Sequence, residues 1–181
     1  MARGQGCTAE QTAAPRGGSG AATVTLQTTR GPVEVNPARI DEAAVQAYRN
    51  GQCVALALAL HEARDWPVYC LLARPGDLAW EERMNADGLD PAAEPNWFYD
   101  FAHALFQTDG GSLVDIDTYC GFEDYLDGAA YDYGCAALVE IYPQALRAAY
   151  EQARADGHTA PALDHELAAR FAATLLAELG L

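Results

Sequence analysis

The chain has 181 residues, half of them hydrophobic, which is enough for one domain with a core of its own and too few for two full domains and a linker. Its 26 acidic and 11 basic residues give a net charge of -15, and because no cluster of Lys or Arg occurs, this charge argues against nucleic-acid binding. Five cysteines with no CxxC pair and no close Cys/His spacing argue against a disulfide framework and a metal site. The sequence has no run of about 18 apolar residues, so no membrane span is predicted.

The N-terminal stretch, residues 1–22, is rich in Ala and Gly and has no periodicity. It predicts a flexible tail, followed by a single domain over residues 23–181. The stretch also lacks the apolar segment of roughly 7 to 15 residues that a secretory signal peptide needs. We therefore expect a cytoplasmic protein with reduced thiols.

Two strands and two helices are predicted in the first part of the domain. Alternating polar and apolar residues predict an edge strand at 23–28, and an Asn-Pro pair opens a helix at about 37–49. After an Asn-Gly break, residues 52–63 are apolar nearly all round, which predicts a helix buried at the centre of the domain. Residues 68–73 predict a buried strand.

The second part predicts a long loop, a hairpin and two helices. Residues 74–96 are rich in Pro, Gly and Asp, and they predict either a lid over a site or a disordered insertion. Apolar residues at helical spacing predict helices at 135–155 and 163–179. The predicted class is α+β, with a core at about 37–121, in which a central helix packs on an antiparallel sheet, and extra C-terminal helices at about 135–180.

The hairpin has a Gly-rich turn at residues 109–111, and its register decides which acid faces His103. A three-residue loop places His103 opposite Asp117, on the same face of the sheet, and Asp115 two residues away. A two-residue turn would instead place His103 opposite Thr118. We take the three-residue loop, which predicts Asp117 rather than Asp115 beside the imidazole.

Cys53 lies at the first turn of the predicted central helix, upstream of His103 and the aspartates. A helix N-terminus favours a thiolate, because unsatisfied N–H groups and the helix dipole stabilise negative charge. A neighbouring imidazole completes an ion pair and protonates the leaving amine, and a carboxylate on the other ring nitrogen fixes the tautomer. Cys53, His103 and Asp117 are therefore the predicted catalytic residues. The alternatives are an inert buried thiol at Cys53 and a core histidine at His103.

The letters GQCV at residues 51–54 resemble the Y-G-Q-C-W segment around the nucleophile of transglutaminases. His103, followed by Asp117 across a Gly turn, is similar to the H-x-W…D spacing of that superfamily. The same order of Cys, His and acid occurs in papain-like bacterial toxin deamidases, which the chain also resembles. The resemblance covers about residues 45–121 and implies a papain-like or transglutaminase-like core.

Two glutamines are candidates for the site that stabilises the oxyanion. Gln52 could lend its side-chain amide, or its position, beside the backbone N–H of Cys53. Gln46 lies seven residues before Cys53, close to where papain-like enzymes carry their oxyanion glutamine. For both, the alternative is a glutamine that simply faces water. Asp115 is predicted to lie beside the catalytic residues or to belong only to the hairpin.

The resemblance implies a cysteine-dependent amide hydrolase that acts on a protein or peptide substrate. It would work through a thioester on Cys53, as a peptidase or a glutamine deamidase, without a cofactor. Two alternatives stay open: a transglutaminase-like acyltransferase, and a catalytically degenerate papain-like module that only binds or inhibits a partner. The acidic charge favours basic or neutral protein partners over nucleic acid.

Overall fold

The computed structural model describes residues 22–91, 93–94, 96–158 and 160–181, so the predicted tail at 1–22 lies, apart from Ala22, outside the described residues. The elements in chain order are β1 Val24–Thr28, β2 Gly31–Val35, α1 Glu42–Ala47, a π-helical turn Tyr48–Gln52, α2 Cys53–Arg64, β3 Val68–Ala73, α3 Leu78–Asp87, a 3₁₀ turn Trp97–Asp100, β4 Phe101–Gln107, β5 Leu113–Val114, β6 Tyr119–Cys120, α4 Phe122–Tyr133, β7 Ala136–Ile141, α5 Pro143–Ala155 and α6 His165–Leu179. Within these described ranges, no helix combines the length and the apolar character that crossing a membrane requires.

The strands form two antiparallel sheets, and the fold is mixed α+β as predicted. β1 and β2 pair as a two-stranded hairpin. The other five strands form one sheet in the order β6-β5-β4-β3-β7, and every neighbouring pair in it is antiparallel.

α2 is the central helix because nearly every side chain on it is apolar. Its residues from Cys53 to Leu60 are all buried, which requires other elements on several sides. Leu56 and Leu60, one turn apart, pack with Phe171 of α6, whereas Leu58 on another face packs with residues of the five-stranded sheet. Each fully buried leucine stabilises the fold by ~2 kcal/mol. The predicted central helix at 52–63 is confirmed.

The prediction of a loop over residues 74–96 is wrong, because α3 lies within it. The Asp77 side chain caps this helix by accepting a hydrogen bond from the N–H of Trp80 at 3.0 Å. Trp80 and Met84, one turn apart, are buried on a single face, while the remaining positions are mostly polar. Two apolar residues on a short helix give too weak a periodicity to predict it.

The helix predicted at 135–155 is also wrong in its first part, where the chain forms β7 before α5. Residues 136–141, AALVEI, fit a helix as well as a strand, and pairing with β3 over all six residues decides the outcome. Pro143 then begins α5 at a position where the missing N–H costs nothing. α6, by contrast, matches the prediction closely.

The hairpin between β4 and β5 has the predicted register, in which Phe106 pairs with Val114. β5 ends there, because Asp115 begins another turn: its Oδ1 accepts a hydrogen bond from the N–H of Asp117 at 3.0 Å. Aspartate favours such turns by bonding its own backbone two residues on. The predicted pairing of His103 with Asp117 is therefore wrong, since the chain turns back into β6 before it reaches that position.

Candidate active site

Cys53 begins α2 directly after a turn that requires glycine. Gly51 has a φ of 110°, and a Cβ at this position would lie 2.9 Å from both Pro161 Cδ and Thr29 Cγ2. Only glycine meets both the backbone conformation and the tight contact. The turn brings the thiol to the N-terminus of α2, where it is 6% exposed.

His103 lies on β4 before Phe106, which is the first residue of β4 that pairs with β5. The side of β4 at His103 is therefore not covered by β5, and the carboxylate of Asp115 reaches it: Nε2 of the ring and Oδ2 of Asp115 are 2.9 Å apart. The ring and the thiol of Cys53 line the same small cavity, and Cys53 is one of the groups that raise the pKa of His103. Because Nε2 bonds Asp115, Nδ1 is the nitrogen left for the thiol.

The electrostatics of this trio favour a charged imidazole. Burial by itself would lower the pKa of His103, but the negative charge of Cys53 and the bond to Asp115 outweigh it and raise the pKa well above its usual range. Burial likewise disfavours a charged Asp115, yet the hydrogen bond and charge of His103 lower the pKa of this carboxyl to about 2. The ring of His103, with Asp115 bonded to Nε2 and Cys53 beside it, is therefore favoured in its charged form.

Asp115, not the predicted Asp117, is thus the acid that contacts the imidazole. The turn that ends β5 holds Asp115 by two backbone bonds: its N–H donates to the carbonyl of Thr118 at 3.1 Å, and its Oδ1 accepts from Asp117. The side chain of Asp117 points to Arg49, with Oδ2 and Nη2 2.9 Å apart. Burial and the neighbouring Asp115 raise the pKa of Asp117 to about 6.

The two glutamines have structural roles and do not contribute side-chain donors to an oxyanion site. Gln52 is buried, and both of its amide hydrogens have partners, because Nε2 donates to the carbonyls of Gln27 at 2.9 Å and Ala162 at 3.0 Å. It joins the β1–β2 hairpin to the segment before α6. Gln46 is exposed on α1, and its amide reaches Glu42 at 3.4 Å. Both oxyanion predictions are wrong for the side chains.

Access to the thiol is narrow. The hydroxyl of Tyr150 lies 3.1 Å from the carbonyl of Gly51 and 2.8 Å from that of Pro161, so α5 fixes the chain that passes over the start of α2. Cys53 is 6% exposed and His103 9%. Both side chains are therefore nearly closed off from solvent.

A cavity of about 10 Å³, close to the space of one water molecule, adjoins the site and is lined in part by Tyr48, Cys53, His103 and Asp115. Among the described residues, the Tyr48 hydroxyl finds no hydrogen-bond partner. Burial, then the charge of Asp164, raise the pKa of Tyr48 above its ordinary value. The sequence patterns predict no place in the site for Tyr48 or Arg49, although Arg49 is the basic residue nearest to Cys53 along the chain.

Within the described ranges, no group of three or more His, Cys, Asp and Glu side chains is placed to hold a metal ion. No protein-family profile, no curated protein and no solved structure matches the chain.

Proposed function

We propose that the chain is a cysteine-dependent amide hydrolase with a papain-like or transglutaminase-like core, acting on a protein or peptide substrate. The observation that carries the proposal is the 2.9 Å contact between His103 Nε2 and Asp115 Oδ2, on a ring that also interacts with Cys53 at a helix N-terminus. Burying a charged pair costs free energy of desolvation. Proteins retain such pairs at functional sites, where a nucleophile needs a base beside it.

The first half of the reaction forms a thioester. The thiolate of Cys53 attacks the amide carbonyl carbon, the S–C bond forms, and negative charge develops on the carbonyl oxygen. The C–N bond then breaks as the imidazolium of His103 gives its proton to the leaving nitrogen. Asp115 accepts a hydrogen bond from Nε2–H and so holds the ring with Nδ1–H towards the thiol.

The second half hydrolyses the thioester. Neutral His103 takes a proton from water, the water oxygen bonds to the carbonyl carbon, and the S–C bond breaks to release the acid and restore the thiolate–imidazolium pair. Because the side chains of Gln52 and Gln46 are bonded elsewhere, the start of α2 is the source of oxyanion stabilisation that the geometry supports.

The charge of the protein bears on its substrate, and the chemistry of the thiol bears on its compartment. A net charge of -15 favours neutral or basic proteins and peptides as partners over nucleic acid. The reaction needs a reduced thiol, so the cytoplasm, with its reducing poise, fits the activity.

The test compares the wild-type protein with Cys53→Ala on a defined peptide library rich in Gln, Lys and Arg, read by intact mass. Cleavage adds one water per bond broken, deamidation exchanges an amine for a hydroxyl, and acyl transfer joins two peptides with loss of ammonia. We expect a hydrolytic mass change with the wild-type protein that Cys53→Ala abolishes.

Two outcomes contradict the proposal. Peptides joined through amines, without hydrolysis, would make the protein an acyltransferase. The second is a Cys53 that iodoacetamide alkylates no faster than the buried thiols of Cys70 and Cys135 in the native protein, because a hydrolase of this type needs a reactive thiolate.

A further inference from the structure

We propose that Arg49 and Asp117 are positioning residues, which form an outer ion pair that holds Asp115, and through it the imidazole and thiol, in the working arrangement. The inference rests on the hydrolase function proposed above and assigns a role to two residues that do not contact the reacting atoms.

The first support is an unbroken chain of contacts. Nε of Arg49 donates to Oδ1 of Asp117 at 3.2 Å, and Nη2 lies 2.9 Å from Oδ2, so the guanidinium binds the carboxylate with two nitrogens. The N–H of Asp117 donates to Oδ1 of Asp115 at 3.0 Å, and Oδ2 of Asp115 contacts His103. Each group therefore limits the movement of the next.

The second support is the position of Arg49 and Asp117 in the fold. Arg49 belongs to the π-helical turn Tyr48–Gln52, directly before Cys53, whereas Asp117 belongs to the turn after β5. The Arg49–Asp117 pair thus joins the element that carries the nucleophile to the turn that carries the orienting acid. The Arg49 side chain is 57% exposed, and ion pairs of this exposure add little to stability. Positioning is the role that its geometry supports.

The third support is the set of charges around Asp117. The groups that face it are Asp115, which disfavours its charged form, and Arg49 and His103, which favour it. When Asp117 is ionised, it pairs with Arg49 and adds negative charge beside the imidazolium. When it is protonated, it loses this negative charge and its ion pair with Arg49. The ionised form is the one that supports the thiolate–imidazolium pair.

The test measures the rate at which iodoacetamide alkylates Cys53, by peptide mapping, between about pH 5 and about pH 8, where a carboxyl with a pKa of about 6 titrates. It needs no substrate. The variants are Arg49→Met, Arg49→Lys, Asp117→Asn and the double variant Arg49→Met/Asp117→Asn. Arg39→Met is the matched control, because Arg39 pairs with Asp41 elsewhere on the surface and its loss changes the net charge equally.

We expect the wild-type rate to fall as the pH drops through about 6, and this step to be absent in Asp117→Asn, which stays at the slower rate throughout. Arg49→Met should move the step upward by roughly half a pH unit, because the guanidinium no longer favours the ionised carboxylate. Arg49→Lys keeps the charge and should leave the step near its wild-type position. The double variant should match Asp117→Asn alone, since Arg49 acts through Asp117. Arg39→Met should behave as wild type.

The results separate the two proposals. If wild-type Cys53 is alkylated no faster than Cys135, the hydrolase proposal fails. If Cys53 is selectively alkylated but its pH profile is the same in wild type, Arg49→Met and Asp117→Asn, only the outer ion pair is refuted. Additive losses in the double variant would also refute it, because they would mean that Arg49 acts independently of Asp117.

Discussion

The two ends of α2 each lie beside a histidine–aspartate pair, and the two pairs differ in burial. At the N-terminal end, His103 and Asp115 are 2.9 Å apart with side chains 11% and 5% exposed. At the C-terminal end, His61 Nε2 and Asp65 are 3.9 Å apart with side chains 27% and 99% exposed. The other ring nitrogen of His61 lies 2.8 Å from the carbonyl of Trp66, a local bond within the turn that follows the helix.

The two pairs differ in how strongly their charges interact and in the other partners of each ring. Water screens the outer pair, so its attraction is weak, whereas burial strengthens every charge interaction of the inner pair. Only the inner ring has a thiol as its third partner. Residue types alone do not distinguish the two ends. Burial and the position of Cys53 do.

The largest effect should come from removing the base or the nucleophile. His103→Ala and Cys53→Ala should each lower turnover on the order of 10⁶, by analogy with other hydrolytic triads. Cys53→Ala should cost only roughly 1 kcal/mol of stability, because it removes one small group from the helix start. Turnover and the thermal midpoint of both variants measure this. A Cys53→Ala variant that keeps its turnover, or unfolds, would make Cys53 a packing residue.

The next effect separates the two aspartates. Asp115→Asn keeps the size of the side chain but disfavours the working tautomer of the imidazole, so turnover should fall on the order of 10⁴. Asp117→Asn, which keeps the backbone N–H that bonds Asp115, should lose far less. Measuring kcat for both variants under the same conditions decides the matter. The reverse order would restore Asp117 as the orienting acid, as the strand register first predicted.

A smaller effect concerns stability, and its sign is opposite to the effect on reactivity. The pKa of Asp117 is raised from 3.8 to about 6, so its protonated form is favoured in the fold, and its contribution to stability falls as the pH rises between these values. Asp117→Asn should therefore be more stable than wild type at about pH 7, by about 1 kcal/mol after allowing for partial exposure. Denaturant unfolding at about pH 4 and about pH 7 measures this, and the gain should vanish at the lower pH. A variant that is less stable at the higher pH would contradict the raised pKa.

Much of the fold near the site was predictable from local patterns. The apolar run after Asn-Gly predicts α2 with Cys53 at its start, and the Gly turn predicts the register of β4 and β5. Asp117 would lie opposite His103 only if the second strand continued that far, and it does not. An aspartate that bonds its own backbone ends the strand at Val114, and counting residues along a strand does not reveal such a turn.

Other parts depended on contacts that sequence patterns do not contain. The strand β7 is decided by pairing with β3, and the role of Gln52 is decided by carbonyls far away in sequence, those of Gln27 and Ala162. The contact of Arg49 with Asp117 likewise joins residues that are distant along the chain. Such long-range partners override local propensity, which is a weak guide for short elements.

The smallest effect is expected at the exposed end of α2. His61→Ala removes the contact with the Trp66 carbonyl and should cost at most about 1 kcal/mol of stability. Turnover and the alkylation rate of Cys53 should not change. A loss of turnover comparable to that of Asp115→Asn would mean that the two ends of α2 are not the distinct environments described above.

The most direct measurement of the central claim is the ¹⁵N NMR spectrum of the His103 ring at about pH 7, assigned with His103→Asn. The account predicts an imidazolium with both nitrogens protonated, because the thiolate of Cys53 and the carboxylate of Asp115 raise its pKa well above the usual range. Cys53→Ala should lower that pKa by removing one of the two charges. A neutral wild-type ring with one protonated nitrogen, or a ring whose pKa is the same with and without the thiol, would contradict the thiolate–imidazolium pair.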